Sequence, residues 1–238
     1  MKYLRIISLI FTIVISAVFV SCGTIFPIKG NGNLTSSEKT FSSFEKINVI
    51  GTAEVRFYAS REYKTVVTVD SNLLEYTEIV TRGNTLNIGI KNGNYLFTKY
   101  LVDVYCPLVT GVSVSGSGRF EGKDKINVST FTSDVSGSGR IEGTIECETF
   151  SAEITGSGYI TVTGNSRDLD IDISGSGNFN GLEFSINNAT VHISGSGKVN
   201  INVYENLNVD ISGSGEINYL GSPKIDSKIS GSGRLKRI

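Results

Sequence analysis

The sequence predicts an all-β protein in which short strands stack as a solenoid with rungs of about 19 residues. Three observations lead to this fold class. A serine-glycine tetrapeptide recurs at nearly constant spacing, apolar and polar residues alternate around each copy, and glycine is abundant while proline is scarce. Glycine contributes 27 of the 238 residues and proline only 3, whereas collagen and disordered linkers are rich in both. The glycine excess therefore indicates a repeat rather than disorder.

The N-terminus has the organisation of an export signal, predicted to cover residues 1–21. Lys2 and Arg5 precede the apolar run 6–20, which is shorter than the roughly 20 residues that a membrane-spanning helix needs. The tetrapeptide that ends at Cys22 resembles a bacterial lipobox, so we expect Cys22 to carry a lipid after cleavage. An ordinary signal peptide with a spare cysteine is the alternative.

This export signal predicts an exported protein of the cell envelope, which the lipid anchors in the outer membrane. The sequence leaves open which side of that membrane the protein faces. We expect residues 22–27 to form a short tether and residues 28–238 to form one solenoid domain. Within it, residues 28–110 are predicted to be irregular opening rungs and residues 111–238 regular rungs.

Seven near-identical tetrapeptides define the regular rungs, and they start 18 to 21 residues apart. Self-similarity at this period is typical of solenoids. The copies are Ser115–Gly118, Ser136–Gly139, Thr155–Gly158, Ser174–Gly177, Ser194–Gly197, Ser212–Gly215 and Ser230–Gly233.

Two apolar columns flank the tetrapeptides. The residue before every copy and the second residue after it are apolar in all seven cases, and their neighbours are polar. Such period-two alternation predicts strands with one buried face. Residues 49–55 align without gaps on residues 114–120 and predict an earlier rung, and residues 28–34 are interpreted as a still earlier copy. Gly83-Asn84 is a predicted turn between two strands.

The serine-glycine motif is predicted to be structural. The Rossmann fingerprint, the P-loop and the nucleophile elbow are all absent from its surroundings. Glycine is used where the backbone needs a positive φ or where chains approach closely, and a repeated corner would need both. The sequence leaves open whether the motif is a corner or a narrow strand.

Two cysteines remain after Cys22, and the register predicts that they do not form a disulfide. We expect Cys106 and Cys147 to lie two rungs apart, which corresponds to roughly 9–10 Å, whereas a disulfide needs Cα atoms within about 7 Å. Both are in phase with apolar neighbours. We therefore expect two buried free thiols.

The chain resembles the putative auto-transporter adhesin, head GIN domain family. The resemblance is carried by residues 30–33, 44–47, 70–74 and 85–88 together with the serine-glycine series. It covers roughly residues 28–238 and implies a right-handed parallel β-helix-like solenoid with irregular N-terminal rungs. The resemblance implies no enzymatic activity and supplies no catalytic residues.

The candidate binding residues lie two positions before the tetrapeptides, where alternation predicts a solvent-exposed column. Stacked strands bring like charges about 5 Å apart, and a bound polar ligand would relieve their repulsion. A solvated polar face is the structural alternative. Carboxylates one or two rungs apart would also suit glycosidic hydrolysis, so a polysaccharide-active enzyme is the alternative function. The column consists of Asp134, Glu153, Asp172, His192 and Asp210, with Ser113 before it and Lys228 after it.

We expect a non-enzymatic envelope lipoprotein that binds a glycan, a peptide or a protein, and the remaining alternative is a purely structural envelope protein. A net charge of −1 argues against nucleic-acid binding. We predict no catalytic residue, no metal site and no cofactor. The aromatics of residues 58–100 are expected to pack in the core, although exposed ones could stack on sugars. Oligomers could form through the solenoid ends, which need capping.

Overall fold

The computed structural model describes residues 26–238, so the predicted leader, Cys22 and the first part of the tether lie outside the described residues. The described chain is nearly all β and forms a solenoid of about seven turns with rungs of about 19 residues. Its strands pair in one 18-stranded sheet and one separate two-stranded sheet. This confirms the predicted fold class.

Nine strands belong to the opening part of the chain. They are β1 Ile28–Lys29, β2 Leu34–Thr40, β3 Lys46–Gly51, β4 Glu54–Ala59, β5 Lys64–Asp70, β6 Thr77–Arg82, β7 Thr85–Ile90, β8 Tyr95–Leu96 and β9 Tyr100–Cys106. A single 3-10 turn, Leu74–Tyr76, precedes β6.

Eleven further strands form the regular part. They are β10 Gly111–Gly116, β11 Arg119–Gly122, β12 Ile126–Asn127, β13 Thr130–Gly137, β14 Arg140–Gly156, β15 Tyr159–Gly175, β16 Asn178–Gly195, β17 Lys198–Gly213, β18 Glu216–Leu220, β19 Lys224–Gly231 and β20 Arg234–Arg237.

Two parallel ladders run along the solenoid. The first ladder contains, in order, β7, β3, β10, β13, the C-terminal parts of β14 to β17, and β19. The second contains β9, β4, β11, the N-terminal parts of β14 to β17, β18 and β20. In the regular rungs, a serine-glycine corner joins the segment of the first ladder to the segment of the second. In the opening part, residues 52–53 join β3 to β4, and residues 91–99 join β7 to β9.

The predicted apolar columns form the core between the ladders. Residues 114, 135, 154, 173, 193 and 211 of the first column are buried, as are residues 120, 141, 160, 179, 199 and 217 of the second. Phe150 lies at the centre, with ring centroids 5.5 Å from Phe131 and 5.7 Å from Phe184. In the last described rung, Ile229 is 41% exposed because no further described rung stacks on it.

The serine-glycine tetrapeptide is a corner, which answers the question left open by the sequence. Gly213 has a φ of +124°, and a Cβ on it would lie 2.5 Å from the carbonyl oxygen of Gly195. A Cβ on Gly215 would lie 2.7 Å from Cγ2 of Ile193. The first glycine therefore provides the turn, and the second leaves room for the inward side chain of the previous rung.

The opening part combines parallel and antiparallel pairing. Val49 and Val55 pair with Val114 and Phe120 in the parallel register, which confirms the predicted copy at residues 49–55. By contrast, β2 pairs antiparallel with β5, β5 with β9, and β6 with β7. The hairpin of β6 and β7 turns at Gly83-Asn84, as predicted.

The interpretation of residues 28–34 as a further rung is wrong. The pair Ile28–Lys29 forms a separate two-stranded sheet with Tyr95–Leu96, and β2 begins at Leu34 against Asp70. The two glycines between them have different roles: a Cβ on Gly30 would collide with the carboxylate of Asp70, whereas Gly32 has a φ of +76° and open space around it.

Asp70 is fully buried and holds two chain segments together. It accepts hydrogen bonds from the backbone N–H groups of Gly32 and Thr98, both at 2.8 Å. Burial alone would raise the pKa of Asp70, but these bonds, with further ones from the Thr98 side chain and the Lys99 backbone, hold it below the ordinary value. Two motifs of the family resemblance, residues 30–33 and 70–74, therefore meet at one buried carboxylate.

Both described cysteines are free thiols, as predicted. Burial raises the pKa of the Cys106 thiol to about 12. Their placement differs from the prediction in two respects. Cys106 ends β9, which pairs with β4 rather than stacking directly below β10, and Cys147 is half-buried rather than buried.

Candidate functional site

The predicted site residues form one continuous column on the first ladder. Asp134 pairs with Glu153, Glu153 with Asp172, Asp172 with His192, and His192 with Asp210. Neighbouring strands lie about 4.8 Å apart, so the five side chains form a line parallel to the solenoid axis. We call these five residues the site column.

The site column lies on the outer surface because each member has a buried residue on either side of it in the strand. Asp172, for example, stands between the buried residues Ile171 and Ile173. Asp134, Glu153, Asp172 and His192 are exposed and Asp210 is half-buried.

Sequence reasoning missed the continuation of the column into the opening part. Ser113 pairs with Asn48, and Asn48 pairs with Asn87. The amide of Asn48 donates a 3.0 Å hydrogen bond to Asn87. Asn48 could have been found, because it precedes Val49 in the aligned copy. Asn87 carried no such signal, since β7 reaches the ladder through an antiparallel hairpin.

The acidic members of the site column have few partners. Asp210 lies 3.9 Å from Lys228, and within residues 26–238 Asp134, Glu153 and Asp172 form no ion pair. Directly opposed like charges in a sheet are destabilising, although solvent screening keeps the effect small at an exposed face. Asp168 on the same sheet, by contrast, accepts hydrogen bonds from Asn188 and Arg167, and these bonds lower the pKa of its carboxyl group.

Two shallow grooves follow the site column. One, of about 400 Å³, is lined by Glu153, Asp172, His192 and Asp210 together with the hydroxyl residues of the adjacent column. The other, of about 420 Å³, extends from Asp134 and Glu153 towards the opening rungs. Glu153 lines both grooves, so the two continue one another along the axis. The surface thus offers carboxylates, hydroxyls and one imidazole to a ligand that lies along the solenoid.

Two further surface contacts join neighbouring rungs. Arg119 and Glu142 pair across strands at 2.6 Å, and Asn218 donates a 3.0 Å hydrogen bond to Asn200 in an amide ladder. Most aromatics of the opening part pack in or against the core, as expected: Tyr63, Tyr76, Tyr95, Phe97 and Tyr100. Tyr58 does not; it is half-buried and stacks on Tyr105, with ring centroids 5.2 Å apart.

Nowhere in residues 26–238 do three or more His, Cys, Asp or Glu side chains come together in a way that could hold a metal ion. Within the same part of the chain, no helix is long and apolar enough to cross a membrane.

Comparison with known proteins identifies the fold family. A crystal structure of a putative lipid binding protein from Parabacteroides distasonis is 26% identical, covers 90% of this chain and 100% of its own, and superposes with a TM-score of 0.75. A putative adhesin from Parabacteroides merdae is 24% identical over 89% of this chain and 98% of its own, with a TM-score of 0.73. A putative adhesin from Bacteroides fragilis is 20% identical over 89% of this chain and 100% of its own, with a TM-score of 0.82.

The comparison with curated proteins gave no match. The family model described as putative auto-transporter adhesin, head GIN domain, matches residues 43–223, which is most of the chain. The match includes every strand of the site column. The chain therefore belongs to the head GIN domain family of putative auto-transporter adhesins.

Proposed function

We propose that the protein is a non-enzymatic binding module of the cell envelope whose ligand docks along the site column. The observation that carries the proposal is the run of Asp134, Glu153 and Asp172, in register on an exposed face and without ion pairs among the described residues. A ligand that brings hydrogen-bond donors or positive charge to this face would satisfy these carboxylates. A glycan, a peptide or a segment of another protein can each supply such groups.

The family and its structural relatives support binding rather than catalysis. The family model and two of the solved structures carry the name adhesin, and adhesins act by binding a ligand. Another relative is named a putative lipid binding protein, which again denotes binding. The site column itself lies on a shallow face rather than in a cleft that excludes water, and catalytic sites gain much of their effect from such exclusion.

The proposal includes the export and membrane anchoring inferred from the sequence. Residues 1–21 would direct export, Cys22 would carry the lipid that anchors the protein in the outer membrane, and residues 22–27 would tether the solenoid. Metabolic labelling with a radioactive fatty acid tests this part. Label is expected on the native chain and not on Cys22→Ala, and label on neither would contradict lipid anchoring.

The experiment for the site column is a binding screen combined with a turnover assay. The chain from residue 23 onwards is applied to arrays of glycans and peptides, and bound glycans are examined for new reducing ends. We expect binding that is lost in the double variant Glu153→Gln/Asp172→Asn and kept in the control Glu183→Gln, which removes an exposed acid elsewhere.

Two outcomes would favour the alternatives. New reducing ends that disappear in Asp172→Asn would indicate a polysaccharide-active enzyme and overturn the proposal. The second outcome is that the chain binds nothing on either array, while deletion of the gene weakens the cell envelope. This result would indicate a purely structural protein.

A further inference from the structure

The last described rung of the solenoid has a free strand edge on each ladder. Among the described residues, β19 pairs with β17 alone and β20 with β18 alone, and we call β19 and β20 the open edge. The N–H of Ser232 donates to the carbonyl of Gly213 on the previous rung at 2.8 Å. Because successive peptide groups alternate in direction along a strand, the N–H groups of Ile225, Ser227 and Ile229 point away from β17. Unpaired groups of this kind are a template for pairing with another chain.

The open edge also exposes the end of the apolar core. Ile225 stacks on Leu207, and Ile229 stacks on Ile211. Leu207 and Ile211 are fully buried, whereas Ile225 is 39% exposed and Ile229 is 41% exposed. The two exposed isoleucines occupy the inward positions of their strand, so a further strand paired with β19 would cover them.

The open edge is the basic end of an otherwise acidic molecule. Residues 224–238 contain five basic residues and one aspartate, whereas residues 26–223 contain 15 basic and 22 acidic residues. Only Lys228 among the exposed basic residues of the edge forms an ion pair within the described part of the chain, at 3.9 Å from Asp210. The basic residues at outward positions of the edge are Lys224, Lys228, Arg234 and Lys236.

Charge and apolar surface alternate along β19. Lys224 and Lys228 lie at outward positions, and Ile225 and Ile229 lie at inward positions. Cross-strand neighbours in a sheet lie about 4.5–5.5 Å apart, so an added strand would place one side chain beside each lysine and the next over each isoleucine. The complement of the open edge is therefore an extended segment in which acidic and apolar residues alternate.

A second copy of this chain is a poor complement to the open edge. Two such edges would bring lysines together, and directly opposed like charges in a sheet are destabilising. The edge strands of the opening part, β2 and β6, each contain one acidic and one basic residue and so offer no net negative charge. Lys39 on β2 also donates a 2.8 Å hydrogen bond to the carbonyl of Ile79 on β6, and a charged side chain placed across an edge in this way protects it from pairing.

We propose that the open edge binds an extended acidic segment of another protein by strand addition, with main-chain hydrogen bonds to β19 and acidic side chains beside Lys224 and Lys228. In this mode of recognition the main-chain bonds provide affinity and the alternate side chains provide specificity. The inference goes beyond the proposed function, because the site column attracts positive charge and ends at Asp210, where Lys228 of the open edge follows it. The module would then hold two ligands of opposite charge.

The test is the binding of a short fluorescent peptide of alternating glutamate and valine, followed by fluorescence polarisation. The chain from residue 23 onwards is used, and it contains every strand of the fold. Two control peptides have lysine in place of glutamate or serine in place of valine. We expect saturable binding of the glutamate-valine peptide alone. Lys224→Glu/Lys228→Glu should weaken it about tenfold or more, and high salt should weaken it as well.

A proline at position 227 distinguishes strand addition from general attraction between charges. Ser227→Pro removes an N–H that points away from β17, so the strand keeps its bonds to the previous rung, as proline on edge strands does. This variant should bind the peptide at least tenfold more weakly, whereas Ser227→Ala, which keeps the N–H, should bind as the native chain does. Bound peptide should also slow amide hydrogen exchange in residues 224–231. Circular dichroism checks that each variant is folded.

Three results would overturn the proposal. The first is the absence of peptide binding by the native chain, and the second is equal binding by the native chain and Ser227→Pro. The third is dimerisation in sedimentation velocity that Ser227→Pro abolishes, without peptide binding, which would assign the open edge to a second copy. Glu153→Gln/Asp172→Asn should bind the acidic peptide as the native chain does, so failure at the open edge leaves the test of the site column unaffected.

Discussion

Replacing Gly213 with alanine tests how the corner determines the fold. At a φ of +124° an alanine is strained, and its Cβ would lie 2.5 Å from the carbonyl oxygen of Gly195. That oxygen also accepts a 2.8 Å hydrogen bond from the N–H of Ser214, so it cannot move without breaking the corner. Backbone strain of about 1–3 kcal/mol and overpacking of about 1–3 kcal/mol predict a loss of about 2–6 kcal/mol in the free energy of unfolding.

Two matched variants separate the contributions in denaturant unfolding followed by circular dichroism. Gly83→Ala has a φ of +60° and nothing within 4 Å, so it should cost only the left-handed strain of about 1–2 kcal/mol. In Gly215→Ala the Cβ would lie 2.7 Å from Cγ2 of Ile193 and 3.3 Å from the carbonyl oxygen of Gly197, and this overpacking, without positive-φ strain, should cost about 1–3 kcal/mol. The reasoning is refuted if Gly213→Ala is no more destabilising than Gly83→Ala.

Three further predictions concern the interior. Phe150→Ala should lower the free energy of unfolding by about 3–5 kcal/mol, and Phe150→Leu by less; equal losses in chemical denaturation would contradict the packing described. Asp70→Asn should lower the melting temperature at neutral pH. Because the pKa of Asp70 is lowered in the folded state, its ionised form stabilises the protein above the ordinary Asp pKa of about 3.9. This stabilisation is lost as the pH falls through the lowered pKa of the folded state, so the difference in melting temperature between Asp70→Asn and the native chain should vanish there. Cys106, with its pKa raised to about 12, should react with a thiol reagent at pH 8 only after unfolding, and rapid native labelling at Cys106 would contradict its burial.

The regular rungs could be predicted from the sequence because their information is local and repeated. Two apolar columns and one glycine motif fix the register, since a shift of one residue would turn every buried side chain outward. The same reasoning located the site column in its observed register, and it extended correctly to Val49.

The opening part could not be predicted to the same depth. An alternating segment such as residues 64–70 has the same pattern whether it pairs parallel or antiparallel, and its partner β2 lies some 30 residues earlier. The burial of Asp70 depends on two loops that meet only in the fold. The separate two-stranded sheet likewise results from the pairing of Ile28 with Tyr95, which no periodicity in the sequence indicates.

The most direct measurement is a calorimetric titration of the ligand identified by the arrays against the native chain, Glu153→Gln/Asp172→Asn and Glu183→Gln. Hydrogen bonds to charged groups contribute about 1.5–3 kcal/mol each, so the double variant should bind at least tenfold more weakly, with Glu183→Gln unchanged and no product formed. Equal affinity in all three chains would contradict the claim that the ligand docks on the site column.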